Sequence, residues 1–92
     1  MSVQWLFDVI QDRRENPSVG SYTSSLFAEG LAKIAQKVGE EASEVIVAAL
    51  AQNDQRLIEE VADLTYHTLV LLSARDLSLK DILAELELRH KE

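Results

Sequence analysis

Three of the chain's four glycines and prolines, Pro17, Gly20 and Gly30, fall between positions 17 and 30. From Leu31 to the end there is a single further glycine, Gly39, and no proline. Those later residues are rich in Ala, Leu, Glu, Lys and Gln, which favour helix. No segment alternates convincingly as a strand would, so the fold class expected is all-α, a bundle of four to five antiparallel helices. With 92 residues, the chain has room for one domain, spanning 1–92.

Punctuation sets the helix ends. Trp5, Leu6, Val9 and Ile10 recur at helical spacing, predicting a first helix over Val3 to Arg14 with Trp5 in the core. Asn16 to Ser21 reads as a loop around Pro17 and Gly20. A short helical piece is expected from Thr23 to Glu29, then a long helix from Leu31 to Gln52. Gly39 inside it costs about 1 kcal/mol relative to Ala and suggests close approach of a backbone or ligand. Asn53-Asp54 forms a turn and N-cap for a helix over Gln55 to Arg75. Asp76-Leu77-Ser78 ends that helix, and Ser78 caps a last one over Leu79 to His90, with Asp81 suited to its positive end.

The stretch Val61 to Leu72 is apolar all around its helix, and such a helix must be covered on every side. A chain this short has few elements to do so, which predicts a homodimer.

Composition removes several functions. A formal charge of -7 is a poor match to nucleic acid, which needs a basic footprint. No cysteine is present, so thiolate metal sites and cysteine nucleophiles are excluded. The longest apolar run, Val45 to Ala51, is far short of a membrane span. The N-terminal stretch has no basic residue ahead of its apolar ones, unlike a signal peptide. The expected compartment is the cytoplasm, with no membrane partner.

Two acidic motifs carry the chemistry. Glu40-Glu41-Ala42-Ser43-Glu44 reads EExxE, and Glu59-Glu60-Val61-Ala62-Asp63 reads EExxD. Residues three apart share a helix face, pairing Glu41 with Glu44 and Glu60 with Asp63. Glu41 borders the apolar arc of Ile34, Val38 and Val45, and Glu60 and Asp63 lie among Leu64, Val70 and Leu71. The short Asn53-Asp54 connection makes the two helices antiparallel neighbours, with the motifs at similar height. The carboxylates of Glu41, Glu44, Glu60 and Asp63 should therefore converge. Converged carboxylates repel and resist burial. A divalent cation resolves this, and an all-oxygen donor set favours Mg²⁺ or Mn²⁺ over zinc. Lys33 and Lys37 precede Glu41 on nearly the same face, where ammonium groups suit phosphate oxygens.

Each feature also has a plainer reading. Either motif alone is commonly a solvated helix face, and Lys37 to Glu41 is an ordinary i,i+4 pair. His67, one turn after Asp63, reads as a satisfied interior histidine rather than a ligand. Ser21-Tyr22-Thr23 reads equally as a substrate loop or a cap.

The run Gly20-Ser21-Tyr22-Thr23, then KIAQKVGEEASE from Lys33 to Glu44, then EEVADLTYH from Glu59 to His67, resembles the phosphoribosyl-ATP pyrophosphatases of histidine biosynthesis. That family belongs to the MazG-like all-α nucleotide pyrophosphatases. The resemblance covers nearly the whole chain from Asn16 onward. It implies hydrolysis of the α–β phosphoanhydride of 1-(5-phosphoribosyl)-ATP to the AMP derivative and pyrophosphate. Many relatives are fused to a phosphoribosyl-AMP cyclohydrolase domain; with neither the length nor the cysteines for one, this chain is expected to be a stand-alone enzyme. By resemblance, Glu41, Glu44, Glu60 and Asp63 are the metal ligands. Glu40 would orient water or act as base, Lys33 and Lys37 would hold phosphates, and Ser21, Tyr22 and Thr23 would contact substrate. Three other readings stay open: a related pyrophosphatase for dUTP or dCTP, a non-enzymatic helical dimerisation module, and a metal-dependent nuclease, which the lack of a basic groove disfavours.

Overall fold

A computed structural model describes residues 1–90. They form five α-helices: α1 Val3–Glu15, α2 Tyr22–Glu29, α3 Leu31–Ala51, α4 Asp54–Ala74 and α5 Leu79–Arg89. Among the described residues there is no strand, in agreement with the all-α expectation. Every boundary lies within one residue of its sequence-based position.

Local chemistry explains the ends. Ser2 caps α1, its hydroxyl accepting the Trp5 N–H at 3.0 Å, and Arg13 and Arg14 sit in the last turn, where cations favour the helix dipole. Asn53 caps α4 by accepting the Arg56 N–H at 2.9 Å. At α5 the Asp81 carboxylate accepts the Ser78 N–H at 2.8 Å, one half of a capping box. Helices α2 and α3 are joined by Gly30 alone, at φ 98°, a conformation that side chains disfavour.

The end of α4 is a Schellman motif. Leu77 N–H donates to the Leu72 carbonyl at 2.9 Å and Asp76 N–H to that of Ser73 at 3.0 Å. Asp76 occupies the left-handed position, φ 58°, where glycine is usual. Its carboxylate pairs with Arg14 of α1 at 2.8 Å. The Arg14 guanidinium also donates to the Ser73 carbonyl and lies 5.9 Å from the centroid of the Phe27 ring. One side chain thus ties α1 and α2 to the negative end of α4.

Helices α3 and α4 form a long antiparallel hairpin across Gln52 and Asn53, the most extensive contact in the fold. Helices α1 and α2 cover only the end of the hairpin away from its turn. There Phe7, Ile10, Leu26, Ile34, Leu69 and Val70 form the core. Toward the turn, the outer faces are bare: Ile46, Val47, Leu50 and Ile58 are exposed, Leu50 at 84%. Helix α5 contributes no buried residue, and its Ile82, Leu83, Leu86 and Leu88 are exposed.

One expectation needs correction. Trp5 is 51% exposed rather than core, because Phe7 and Ile10 define the buried face of α1 and Trp5 stands off it. A Cβ on Gly39 would meet nothing within 4 Å, so no backbone of this chain approaches it closely.

Candidate active site

The acid cluster lies midway along the hairpin, where the covered end gives way to the bare one. Matching distances from the turn bring the two motifs level. One carboxylate oxygen from each of Glu41, Glu60 and Asp63 lies within 4.8 Å of the others. Glu41 and Glu60 are buried, at 7% and 4% exposure, whereas Asp63 is exposed. The Oε2 atoms of Glu41 and Glu60 are both buried with no hydrogen-bond partner. Two orphaned anionic oxygens on members of one acid cluster are costly unless a cation meets them. The donors present therefore fit a hard divalent ion.

Glu44 joins the group through a proton. Hydrogen bonding to Glu60, reinforced by the charge of Glu41, pushes its carboxyl up to about 7. Glu60 moves the other way, held below the ordinary carboxylate range by the hydrogen bond from Glu44 and by Arg56, against the effect of burial. Of the four acids expected to converge, the structure brings Glu41, Glu60 and Asp63 together, and Glu44 stands outside that group, linked to it through Glu60 and Glu41.

Cations flank the cluster on two sides. Arg56 donates to Glu60 Oε1 and to Glu59. Its guanidinium, with Glu44, Val47 and Gln52, lines a shallow depression of about 200 Å³. Arg56 lies three and four residues before these glutamates, the helical spacing that brings both contacts within reach. On the other side, Lys37 Nζ lies 3.5 Å from Glu40 and 3.7 Å from Glu41. Burial opposes the charge on Lys37, but Tyr22, Glu40 and Glu41 outweigh it and raise its pKa. Glu40 accepts from Gln36 at 2.7 Å. That bond and Lys37 hold it below the usual range, so it is ionised near neutrality. It stands outside the three-carboxylate cluster. Lys33 is exposed, and its charge also reaches Glu40.

Ser21-Tyr22-Thr23 forms the start of α2. The Ser21 hydroxyl accepts the Ser24 N–H at 3.1 Å, a cap. The Tyr22 hydroxyl bonds His67 Nε2 at 2.9 Å, and the Thr23 hydroxyl bonds that of Tyr66. The rings of Tyr22 and Tyr66 stack at 6.2 Å, with the His67 ring edge-on to both. His67 Nδ1 bonds the Asp63 carbonyl at 2.7 Å. Both histidine nitrogens have partners within the chain, in line with the interior reading of His67.

The whole chain, not only the site, has relatives. A family model described as phosphoribosyl-ATP pyrophosphohydrolase matches residues 3–90. A phosphoribosyl-ATP pyrophosphatase of Clostridium botulinum is 51% identical over 86 residues, covering 94% of this chain and 78% of the relative. One from Listeria welshimeri is 55% identical over 84 residues, covering 91% and 81%. One from Pyrobaculum islandicum is 54% identical over 84 residues, covering 91% and 89%. A match of this extent, over a helical hairpin carrying converged acids, shows that the chain is an enzyme of the phosphoribosyl-ATP pyrophosphohydrolase family.

Proposed function

We propose that the chain hydrolyses 1-(5-phosphoribosyl)-ATP to 1-(5-phosphoribosyl)-AMP and pyrophosphate, an early step of histidine biosynthesis, and that it needs Mg²⁺, or Mn²⁺ in its place. The observation that carries the metal requirement is the pair of orphaned oxygens on Glu41 and Glu60 beside Asp63. A bound divalent ion would supply charge neutralisation for the phosphates and a lowered pKa for water. Glu41, Glu60 and Asp63 would hold it, with Glu44 completing the set once its proton is lost.

The remaining residues then divide the work. Lys37, kept charged by its neighbours, binds phosphate oxygens, with Lys33 as an outer cation. Glu40, ionised and outside the ligand cluster, orients the attacking water or takes its proton. Water adds to phosphorus at the α–β anhydride and the bond from that phosphorus to the bridging oxygen breaks; attack at the α-phosphorus leaves the bridging oxygen on pyrophosphate, and attack at the β-phosphorus leaves it on the AMP derivative. Ser21, Tyr22 and Thr23 place the start of α2 beside the site, where the second phosphoribosyl group can be recognised.

The functional unit is a homodimer on this reading. The bare turn end of the hairpin and the apolar face of α5 together offer the kind of surface that a monomer rarely exposes.

A panel of phosphoribosyl-ATP, ATP, dUTP and dCTP with Mg²⁺ tests the substrate. Pyrophosphate release from phosphoribosyl-ATP at a kcat/KM well above the others is expected. Preference for dUTP or dCTP would assign a different nucleotide.

A further inference from the structure

The two buried acids of the cluster are held alike. Arg56, one turn before Glu60, donates to its Oε1 atom, and Oε2 is the oxygen without a partner. Lys37, one turn before Glu41, stands 3.7 Å from its Oε1 atom, and again Oε2 is the orphan. Each acid thus has one oxygen beside a cation of its own helix and one oxygen free. The two cations differ in grip. Lys37 lies 3.5 Å from Glu40 and 3.7 Å from Glu41, longer than a good hydrogen bond, so its ammonium can turn to a phosphate. Arg56 hydrogen-bonds Glu59 as well as Glu60, and two acids fix its planar fork.

That grip limits what an ion can take from Glu60. A carboxylate binds a cation through one oxygen or through both. Glu60 is only 4% exposed, which leaves its carboxylate little room to swing away from the guanidinium. While Arg56 holds Oε1, Glu60 offers Oε2 alone. Ca²⁺ gathers about six to eight oxygens and readily takes both from one carboxylate. Mg²⁺ is smaller, demands octahedral geometry and keeps several waters, so few protein oxygens serve it.

We propose that Arg56 is a positioning residue that selects the ion: by holding Glu60 Oε1 it keeps Glu60 a one-oxygen ligand, and so favours Mg²⁺ over Ca²⁺ at the acid cluster. The inference rests on the metal site proposed for Glu41, Glu60 and Asp63. The charge of Arg56 does not select in this way, because the two ions carry equal charge and its repulsion weakens both to a similar degree.

The test is calorimetric titration of Mg²⁺ and of Ca²⁺ into wild type, Arg56→Met and Arg56→Gln, each checked for helix content by circular dichroism. Methionine removes both the donor and the charge. Glutamine removes the charge but can keep a donor on the glutamate four residues on, as Gln36 does to Glu40 at 2.7 Å and Gln55 to Glu59 at 3.2 Å. The readout is the Kd for Ca²⁺ divided by the Kd for Mg²⁺. In Arg56→Met this ratio should fall about tenfold, the lower end of what the outer partners of a metal ligand are worth. In Arg56→Gln it should stay close to wild type. A ratio unchanged in Arg56→Met, or shifted equally in Arg56→Gln, would overturn the role. If the ions bind in the expected pattern but wild type does not hydrolyse phosphoribosyl-ATP, the substrate assignment falls and the selection stands. If wild type binds neither ion, the metal site falls and the selection with it.

Discussion

Arg56 holds one carboxylate oxygen of Glu60 and leaves the other, buried, without a partner. The guanidinium is thus the resident counter-charge of an acid that also faces the proposed metal position. Arg56→Gln removes that charge while Glu60 stays buried. The variant should melt below wild type in EDTA, and saturating Mg²⁺ should narrow the difference, since a bound cation supplies the missing charge. Thermal melts of both proteins with and without Mg²⁺ check this. An equal deficit in both conditions would mean that Arg56 acts on the helix rather than on the acid site.

Glu44 makes the metal-free protein sensitive to pH near neutrality. Its folded value of about 7 lies above the ordinary 4.5, first because of the hydrogen bond to Glu60 and then because of the charge of Glu41. Between those values the folded state holds a proton that the unfolded chain has lost. The stability contributed by this group is complete below about 4.5 and disappears as pH rises through about 7. Mg²⁺ must displace the same proton, so its affinity should climb by up to about tenfold per pH unit below neutrality and level off above it. Calorimetric Mg²⁺ titrations from pH 6 to 8 in buffers of different ionisation enthalpy would show the proton released at the low end. Glu44→Gln should flatten the profile.

Asp76 tests which of two local effects is larger. Its left-handed backbone favours glycine, while its carboxylate pairs with Arg14 at 2.8 Å. Asp76 is largely exposed, so the ion pair contributes little. Asp76→Gly should raise stability by about 0.5–1 kcal/mol in urea unfolding at low salt. A loss of stability would show that the tie from Arg14 to Asp76 outweighs the backbone strain.

Helix positions were legible because breakers and caps are local. Gly30, Asn53, Ser78 and the Asn16-Pro17 pair act on the residues beside them, and the boundaries next to each follow from it. The acid cluster was legible because a short turn and two motifs at equal distance from it leave little freedom in register. Trp5 was misread for a physical reason. A helical wheel shows which residues lie on one face, but not whether another element covers that face. The Tyr22–His67 and Arg14–Asp76 ties join distant parts of the chain, and nothing in local spacing indicates that α2 crosses α4 at Tyr66 and His67.

The exposed apolar end of the hairpin makes assembly testable by one residue. Leu50 is the most exposed of the group formed with Ile46, Val47 and Ile58. Leu50→Glu should shift the sedimenting species from dimer to monomer at micromolar concentration. A wild-type protein that sediments as a folded monomer would remove the dimer from the account.

The central claim is that Glu41, Glu60 and Asp63 form a metal site for pyrophosphate release. Its most direct measurement is the rate of pyrophosphate release from phosphoribosyl-ATP as Mg²⁺ is removed by EDTA and restored, in wild type and in Glu41→Gln and Asp63→Asn. Wild type should lose activity in chelator and regain it with Mg²⁺. Each variant should stay helical by circular dichroism and lose at least about a hundredfold in kcat, the upper end of what losing even an outer-sphere partner costs. Full turnover by wild type in EDTA, or near-normal kcat in both variants, would contradict the claim.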